Sequence, residues 1–412
     1  MIQFGIDILL SQQPTWKKGR IGLVTNHAAT TNDLIPSREA LLERQFDLVK
    51  LFSPEHGLDV QGADGHEMKD GIDVLTGLPV ISLYSNKLAP SQNDLADIDI
   101  ILFDIPDVGS RFYTYLWTMT HVMEACAQNK KKLIILDRPN PVSGNIELAE
   151  GPMLDESQAS FIGRWPIPIR HSCTLGELAL YFNSAKNIHC DIDIIKCEGW
   201  NRNDLQPDWG THFVPTSPAI QSFESMLLYP GLCLLEATNI SEGRGTDRSF
   251  ITAGAPWIKG EAIAVILNEM GLDDVGVTPV TFMPADKNSK YYQQSCSGVE
   301  MEVREPHYFQ SVLYGLILIR LIKQIYPQQF AWKPYPTLVN PTGKHHLDKL
   351  LGIADSEKLF ELPLPKFIAE VTRLTQCKNW KEEIEEFLLY PLPLKGFSNS
   401  PLGAGAKRRI TI

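Results

Sequence analysis

The sequence predicts an α/β protein with a Rossmann-like parallel sheet in its N-terminal half and a smaller α+β domain in its C-terminal half. Short apolar runs rich in Val, Ile and Leu recur through the first half, and helical stretches lie between them. Strands buried on both faces of a parallel sheet have such continuous apolar runs. Strand–helix alternation places helices on both faces of one sheet.

Six strands and three helices are predicted for the first half. The strands cover residues 20–24, 47–52, 79–83, 98–103, 132–136 and 192–196, and the helices cover 36–44, 112–129 and 175–184. The third helix has a start signal, because Thr174 is followed three residues later by Glu177 and the two can form a capping box.

The second half is less regular and is predicted to form its own domain. Residues 209–218 look like a connector because Pro215 and Pro218 interrupt regular structure, so the predicted domains are 1–214 and 215–412. Residues 308–325 are predicted to form an amphipathic helix, with further helices over 259–270, 367–374 and 380–389. If the glycine-rich segment 242–248 folds over the strand ends, a pocket lies between the domains.

Length and composition indicate a globular protein of two domains. At 412 residues the chain is too long for one typical core, and 43% hydrophobic and 21% charged residues are ordinary values for a folded protein. The formal net charge of -11 argues against nucleic acid or an anionic membrane surface as the partner, since both bind basic patches. An anionic substrate is still compatible, because a few local arginines can override the global sign.

Cysteine usage and apolar runs restrict the cellular context. The seven cysteines are an odd number and include no CxxC pair, so neither a disulfide framework nor a structural zinc site is expected. No apolar run is long enough to cross a bilayer, and the N-terminus lacks the basic and apolar regions of a signal peptide. We expect a soluble protein, cytoplasmic, or in the cell envelope or periplasm if a signal peptide was removed. The sequence leaves the oligomeric state open.

Polar residues follow five of the predicted strands. Open parallel sheets bind ligands at the carboxyl ends of their strands, so these residues are expected to line one pocket rich in carboxylates. The clusters are Thr25-Asn26-His27, Ser53-Pro54-Glu55-His56-Gly57, Tyr84, the run from Asp104 to Arg111, and Asp137-Arg138-Pro139-Asn140-Pro141.

Glu55 is the first candidate for catalysis. It lies on a turn directly after a buried strand, where Pro54 and Gly57 fix the backbone. A carboxyl group in such a place is partly desolvated, which raises its pKa and suits a general acid. In the alternative interpretation Glu55 caps the following helix and His56 is a supporting hydrogen-bond partner.

Asp104 and Asp107 form a second acidic cluster, and either could pair with Glu55 as base, nucleophile or positioning group. Glycosidases use two carboxyl groups that flank the scissile bond. Asp107 is alternatively a turn residue. Of the residues that follow, Arg111 can bind a carboxylate through two hydrogen bonds, and Tyr113 can pack on a sugar face or bind a hydroxyl. In the alternative interpretation this stretch is an aromatic helix face packed in the core.

Further candidates come from residues 136–141 and from the second half. Arg138 and Asn140 could orient ligand hydroxyls, and the prolines beside them fit a rigid structural turn equally well. The second half contributes polar residues around a Gly-Arg-Gly-Thr turn, whose glycines let the backbone approach a ligand closely. These residues are Glu236, Asn239, Glu242, Arg244 and Arg248.

Missing motifs exclude several classes of protein. No GxGxxG follows the first strand, which argues against a dinucleotide cofactor, and no P-loop or GxSxG motif occurs. His56, His66 and the acids between residues 55 and 70 could bind a divalent metal, but their spacing matches no metal motif. A solvated loop is the favoured interpretation of that stretch, and neither a metal nor a cofactor is expected.

Seven sequence blocks spread over both halves resemble the NamZ-type exo-β-N-acetylmuramidases. They are GLVTNHA at 22–28, LFSPEHG at 51–57, TGLPVISLY at 76–84, FDIPDVGSRFYTY at 103–115, LDRPNP at 136–141, YPGLCLLEATNISEGRGT at 229–246 and GAPW at 254–257. The resemblance implies a Rossmann-like domain, a smaller C-terminal domain and a cleft between them. It also implies release of terminal N-acetylmuramic acid from the non-reducing ends of peptidoglycan fragments.

When the family's functional positions are carried over through these blocks, the resemblance implies that Glu55 and His56 are the leading catalytic positions. It also implies that the cleft is lined by Asp104, Arg111, Asn140, Glu236, Asn239, Glu242 and Arg244. Three further substrate contacts are predicted, namely Asn26, Tyr113 and Arg138.

The resulting hypothesis divides the reaction between two carboxyl groups. Glu55 protonates the leaving oxygen, and a second carboxylate, Asp104 or Glu242, acts on the anomeric side. One arginine is expected to bind the lactyl carboxylate of the sugar, and the candidates are Arg111, Arg138 and Arg244.

Two alternatives to this hypothesis stay open. A metal-dependent hydrolase of another cell-wall substrate would lose activity when a chelator is added. A non-catalytic muropeptide-binding protein would bind muramyl ligands tightly and release no product.

Overall fold

The computed structural model describes residues 2–272 and 274–392, in which two β-sheets organise the chain. The strands of the first sheet are β1 (Ile21–Thr25), β2 (Leu48–Ser53), β3 (Gly71–Ile72), β4 (Pro79–Ser82), β5 (Ile100–Asp104), β6 (Lys132–Leu136) and β7 (Ile192–Ile195). The strands of the second sheet are β8 (Thr252–Ala255), β9 (Val275–Phe282) and β10 (Cys296–Val303).

The α-helices of the described ranges surround the first sheet and fill the second half. In chain order they are α1 (Gly5–Ser11), α2 (Ser37–Glu43), α3 (Gln92–Leu95), α4 (Tyr115–Gln128), α5 (Leu175–Ala185), α6 (Phe223–Leu232), α7 (Gly260–Glu269), α8 (Ser311–Ile325), α9 (His346–Leu351), α10 (Leu364–Thr375) and α11 (Trp380–Ile384).

The first sheet is open and almost entirely parallel. Its strands stand in the order β3-β4-β2-β1-β5-β6-β7, and β3 alone among these seven runs antiparallel to its neighbour. β1 and β5 are buried along their whole length, as central strands covered on both faces should be. The carboxyl ends of β1, β2, β5 and β6 therefore share one edge of the sheet. The predicted α/β class, with a smaller second sheet, is confirmed.

Most predicted helices are present with slightly different ends. α2, α4 and α5 match the three helices predicted for the first half, and the capping box of α5 forms. Thr174 Oγ1 accepts from Glu177 N at 3.2 Å, and Glu177 Oε2 accepts from Thr174 N at 3.0 Å. β3 escapes prediction because two residues carry no apolar pattern. The last predicted helix is shorter than expected, since α11 ends at Ile384 and a 3-10 turn follows.

The two halves of the chain share a continuous hydrophobic core. Glu150 of the first half accepts a hydrogen bond from Val312 N, at the start of α8, at 3.1 Å. The hydroxyl of Tyr390 returns to the first sheet and donates to Asp137 Oδ2 at 2.7 Å. These contacts join the first half of the chain to the second.

The predicted boundary between 1–214 and 215–412 stays a prediction, and residues 393–412 lie outside the described ranges. Among the helices that the structure describes, none is both long and apolar enough to cross a membrane.

Candidate active site

A cleft opens between the carboxyl ends of the first sheet and the second half of the chain. Its main cavity has a volume of about 1380 Å³, and a smaller cavity of about 50 Å³ adjoins it. The loop after β2 lines the main cavity from one side, and residues within 236–252, 280–291 and 333–336 line it from the other. Both cavities are lined by His56, Asp64, Ala219, Glu236, Arg244 and Tyr335.

Glu55 lines the smaller cavity, is only 4% exposed and is held by two hydrogen bonds. Its Oε2 accepts from Thr114 Oγ1 at 2.6 Å, and its Oε1 accepts from Gly65 N at 2.8 Å. Burial raises the pKa of Glu55. His56 lowers this pKa in part, and the negative charge of Asp64 raises it further. A buried carboxyl group that retains its proton toward neutral pH can act as a general acid.

His56 lies in the left-handed backbone region, with a φ of +67°, which is strained for a residue with a side chain. Its Nδ1 is 2.8 Å from the carbonyl oxygen of Gly62. Because a carbonyl can only accept, Nδ1 carries a proton and Nε2 is the ring nitrogen left for the cleft. The ring packs edge-on against Tyr115, with 6.4 Å between centroids. The turn after β2 thus supplies two adjacent ionisable side chains to the site.

Arg244 is the centre of a cluster of carboxylates. Its Nη2 lies 2.7 Å from Glu236 Oε1 and 3.6 Å from Asp64 Oδ2, and its Nε lies 3.5 Å from Glu242 Oε1. The guanidinium group is stacked over the ring of Phe250 at 4.8 Å. Three surrounding carboxylates more than neutralise its charge, so Arg244 is not a free cation for a ligand.

Two glycines and a histidine fix this cluster. Gly243 and Gly245 have φ angles of +78° and +81°, which glycine adopts without strain, and the turn between them projects Arg244. His346 Nε2 lies 2.9 Å from Glu236 Oε2. Burial opposes the ionisation of Glu236, but Arg244 and His346 lower its pKa to about 2. Glu236 is therefore ionised, with both oxygens occupied.

Asp64 connects the two halves across the cleft. The hydroxyl of Tyr335 donates to Asp64 Oδ2 at 2.7 Å, and Leu338 N donates to the carbonyl oxygen of Gly65 at 2.8 Å. The Asp64 side chain is 29% exposed, against 5% for Glu236. The sequence predicts only a solvated loop around Asp64. It gives no indication that Tyr335 contacts this loop, because the two residues are 271 positions apart.

Asp104 and Arg138 form a buried ion pair with each other. Arg138 Nε and Nη2 donate to the two oxygens of Asp104 at 2.6 and 3.0 Å, and Nη2 also donates to the carbonyl oxygen of Thr30 at 2.7 Å. Asp104 is fully buried and lines neither cavity of the cleft. The catalytic role predicted for Asp104 stays a prediction, and this geometry gives it no support.

Arg111 and Asn140 are also engaged by the backbone. Arg111 donates at 2.7–2.8 Å to three carbonyl oxygens, those of Pro152, Ile167 and Leu350. Burial lowers the pKa of Arg111 to about 9. The amide of Asn140 donates to one backbone carbonyl and accepts from one backbone N–H. Neither side chain lines a cavity of the cleft.

The other predicted contacts divide between the cleft and the surrounding fold. Tyr113 lines the smaller cavity and Asn239 lines the main one. Asn26 and Glu242 line neither, and Glu242 Oε2 is 2.9 Å from Lys290 Nζ. Of the predicted site residues, the structure brings together at the cleft Glu55, His56, Tyr113, Glu236, Asn239, Arg244 and Arg248.

Lys333 carries a positive charge in the wall of the main cavity and has no carboxylate partner among the described residues. Its side chain is exposed, and its backbone N–H donates to the carbonyl oxygen of Ala237 at 2.8 Å. The other lysine and arginine side chains of this wall are paired: Arg244 with Glu236, Arg248 with Glu300 and Lys290 with Glu242. The sequence does not distinguish Lys333 from any other exposed lysine.

The loop after β2 was a candidate for metal binding. His66 Nδ1 lies 2.9 Å from the backbone carbonyl oxygen of Asp64. Across residues 2–272 and 274–392, no group of three or more His, Cys, Asp or Glu side chains is arranged to hold a metal ion.

A buried carboxyl group in a polar cleft with further carboxylates nearby, set between an α/β sheet and a second half, is compatible with a glycoside hydrolase. Comparison with known families makes the class specific: the chain belongs to the exo-β-N-acetylmuramidase NamZ family. The family's N-terminal domain matches residues 21–224, and its C-terminal domain matches residues 227–390. The resemblance found in the sequence is thereby confirmed over both halves.

Individual relatives agree with this membership. The chain is 41% identical over 333 residues to the peptidoglycan β-N-acetylmuramidase NamZ of Bacillus subtilis, and the match covers 80% of each chain. Crystal structures of two DUF1343 family proteins from Bacteroides fragilis share the fold, each at 28% identity, with TM-scores of 0.83 and 0.74. These matches cover 95% of this chain and 99% and 100% of the two crystallised chains.

Proposed function

We propose that this protein is an exo-acting glycoside hydrolase that releases β-linked N-acetylmuramic acid from the non-reducing ends of peptidoglycan fragments. The observation that carries the proposal is Glu55, a buried carboxyl group held at the cleft by Thr114 and Gly65. The Bacillus subtilis relative, itself named a peptidoglycan β-N-acetylmuramidase, supports the same substrate class.

Glu55 acts as the general acid in this proposal. Its proton passes to the glycosidic oxygen while the bond from C1 to that oxygen breaks, and the bonding electron pair leaves with the oxygen. Burial raises the pKa of Glu55, which favours the protonated form that a general acid needs. The hydrogen bonds from Thr114 Oγ1 and Gly65 N hold the carboxyl group in one orientation before the substrate arrives.

His56 contacts the substrate beside Glu55 in the same proposal. Its Nδ1 is anchored by the carbonyl oxygen of Gly62, which leaves Nε2 to accept a hydrogen bond from a sugar hydroxyl. The strained backbone of His56 fits such a role, because strain of this kind is retained where a side chain must point in one direction.

Recognition of the sugar's carboxylate is assigned to Lys333. N-acetylmuramic acid differs from N-acetylglucosamine by a lactyl ether that carries a carboxylate, so a selective enzyme needs an unpaired cation in its cleft. Arg111 and Arg138 are committed to backbone carbonyls and to Asp104, and Arg244 is surrounded by three carboxylates. Lys333 has no carboxylate partner among the described residues and lines the main cavity.

Chromophore release from aryl glycosides tests the proposed function. The purified wild-type protein is incubated with a β-linked N-acetylmuramic acid aryl glycoside, with the matching N-acetylglucosamine glycoside as control, each with and without EDTA. We expect release from the muramyl substrate alone, at the same rate with the chelator. Release from neither glycoside would contradict the proposal, and tight muramyl binding without release would indicate a binding protein. Loss of release with EDTA would indicate a metal-dependent hydrolase.

A further inference from the structure

The reaction proposed above needs a second group that acts on the anomeric carbon while Glu55 protonates the leaving oxygen. Neither carboxylate predicted for this role is available. Both oxygens of Asp104 are bonded to Arg138, and Asp104 lines neither cavity. Glu242 is 1% exposed, lies between Lys290 and Arg244, and also lines neither cavity.

Two carboxylates share the smaller cavity with Glu55, and they differ in how many oxygens are free. Those residues are Asp64 and Glu236. Glu236 has Oε1 on Arg244 and Oε2 on His346, and its side chain is 5% exposed. Asp64 uses only Oδ2, which accepts from Tyr335 and faces Arg244, while Oδ1 has no hydrogen bond to the described residues. With 29% of its side chain exposed, Asp64 is accessible to solvent and also lines the main cavity.

Asp64 is also positioned next to the acid. Gly65 directly follows Asp64, and its N–H donates to Glu55 Oε1 at 2.8 Å. The peptide unit between Asp64 and Gly65 therefore contacts the Glu55 carboxyl group. The far side of this loop is fixed from the second half by Tyr335 and by Leu338. The negative charge of Asp64 contributes to the raised pKa of Glu55, which helps to keep the acid protonated.

We propose that Asp64 is the second catalytic carboxylate, with Oδ1 acting as general base on the water that attacks the anomeric carbon. This inference rests on the proposed glycosidase function. Asp64 Oδ1 takes one proton from the water while the oxygen of that water forms a bond to C1. The bond from C1 to the leaving oxygen breaks, and that oxygen takes its proton from Glu55. At the end Asp64 is protonated and Glu55 is ionised, and exchange with solvent restores both.

The test measures kcat and KM of Asp64→Asn on the muramyl aryl glycoside as a function of pH. We expect kcat to fall at least about a hundredfold, the usual scale for a general base, with KM changed by less than about threefold. The loss of kcat should be present at every pH at which the wild-type protein is active, because asparagine cannot take the proton of the attacking water. Circular dichroism and thermal unfolding establish that the variant is folded.

Two further variants separate catalysis from structure. Asp59→Asn removes an exposed carboxylate of the same loop that lines neither cavity, and it should keep wild-type kcat. Tyr335→Phe removes the hydrogen bond to Asp64 Oδ2 and should lower kcat by less than about tenfold.

An equal loss of kcat in Tyr335→Phe and Asp64→Asn would overturn the proposal in favour of a positioning role for Asp64. So would an Asp64→Asn variant that keeps more than about one tenth of wild-type kcat. Wild-type protein that cleaves no muramyl glycoside would instead refute the proposed function, and this inference with it.

Discussion

Replacing Glu55 with Gln is expected to lower kcat on the muramyl glycoside by about a thousandfold while the protein stays folded. Glutamine has the same shape and can still accept a hydrogen bond from Gly65 or Thr114, so the turn should persist. It has no acidic proton for the leaving oxygen, and loss of general acid catalysis costs about 10²–10⁴-fold in rate. The measurement is kcat of both proteins at several pH values, with circular dichroism as the check on folding.

The dependence of kcat on pH provides a second, independent test of the role of Glu55. Because burial raises the pKa of Glu55, the acid is protonated at low pH, and kcat should fall as pH rises through that raised pKa. The basic limb should vanish in Glu55→Gln. A matched control is Glu67→Gln, which changes an exposed carboxyl group of the same loop and should keep the wild-type profile. If Glu55→Gln retained near-normal kcat, the general acid role would be refuted.

Replacing Lys333 with Met is expected to weaken binding of N-acetylmuramic acid by about 10–100-fold. A hydrogen bond between charged groups contributes about 1.5–3 kcal/mol, which corresponds to that range, and methionine keeps an unbranched side chain of similar bulk without the ammonium group. The measurement is the competitive inhibition constant of free N-acetylmuramic acid, with free N-acetylglucosamine as the neutral reference. We expect the preference for the muramyl sugar to shrink in Lys333→Met and to be largely retained in Lys333→Arg.

Lys366 on α10 offers the control for this prediction. It is exposed and lines neither cavity of the cleft, so Lys366→Met changes the net charge equally and should leave both inhibition constants unaltered. An unchanged preference in Lys333→Met would show that another group binds the lactyl carboxylate.

The fold and the place of Glu55 at the cleft could be predicted from local sequence, because both depend on neighbouring residues. Apolar runs mark the buried strands, Thr174 and Glu177 mark the start of α5, and Pro54 and Gly57 mark the turn that presents Glu55. These features need no knowledge of what lies across the cleft.

The partners of the acid could not be predicted in the same way. Asp104 ends β5 at the same edge of the sheet as Glu55, but only the structure shows that Arg138 occupies both of its oxygens. Asp64 becomes a candidate only in the structure, which places it in the smaller cavity with Glu55 and holds it through Tyr335, 271 residues away. Strand ends therefore indicate which edge of a sheet carries the site, whereas the direction of each side chain depends on long-range pairing.

Product analysis with two natural disaccharides tests the central claim most directly. One disaccharide carries N-acetylmuramic acid β-linked at the non-reducing end of N-acetylglucosamine, and the other has the reverse order. Each is incubated with wild-type protein, and the products are identified by mass spectrometry. We predict free N-acetylmuramic acid and N-acetylglucosamine from the first disaccharide and no product from the second. Cleavage of the second disaccharide, or of neither, would contradict the assignment of this cleft to terminal β-linked N-acetylmuramic acid.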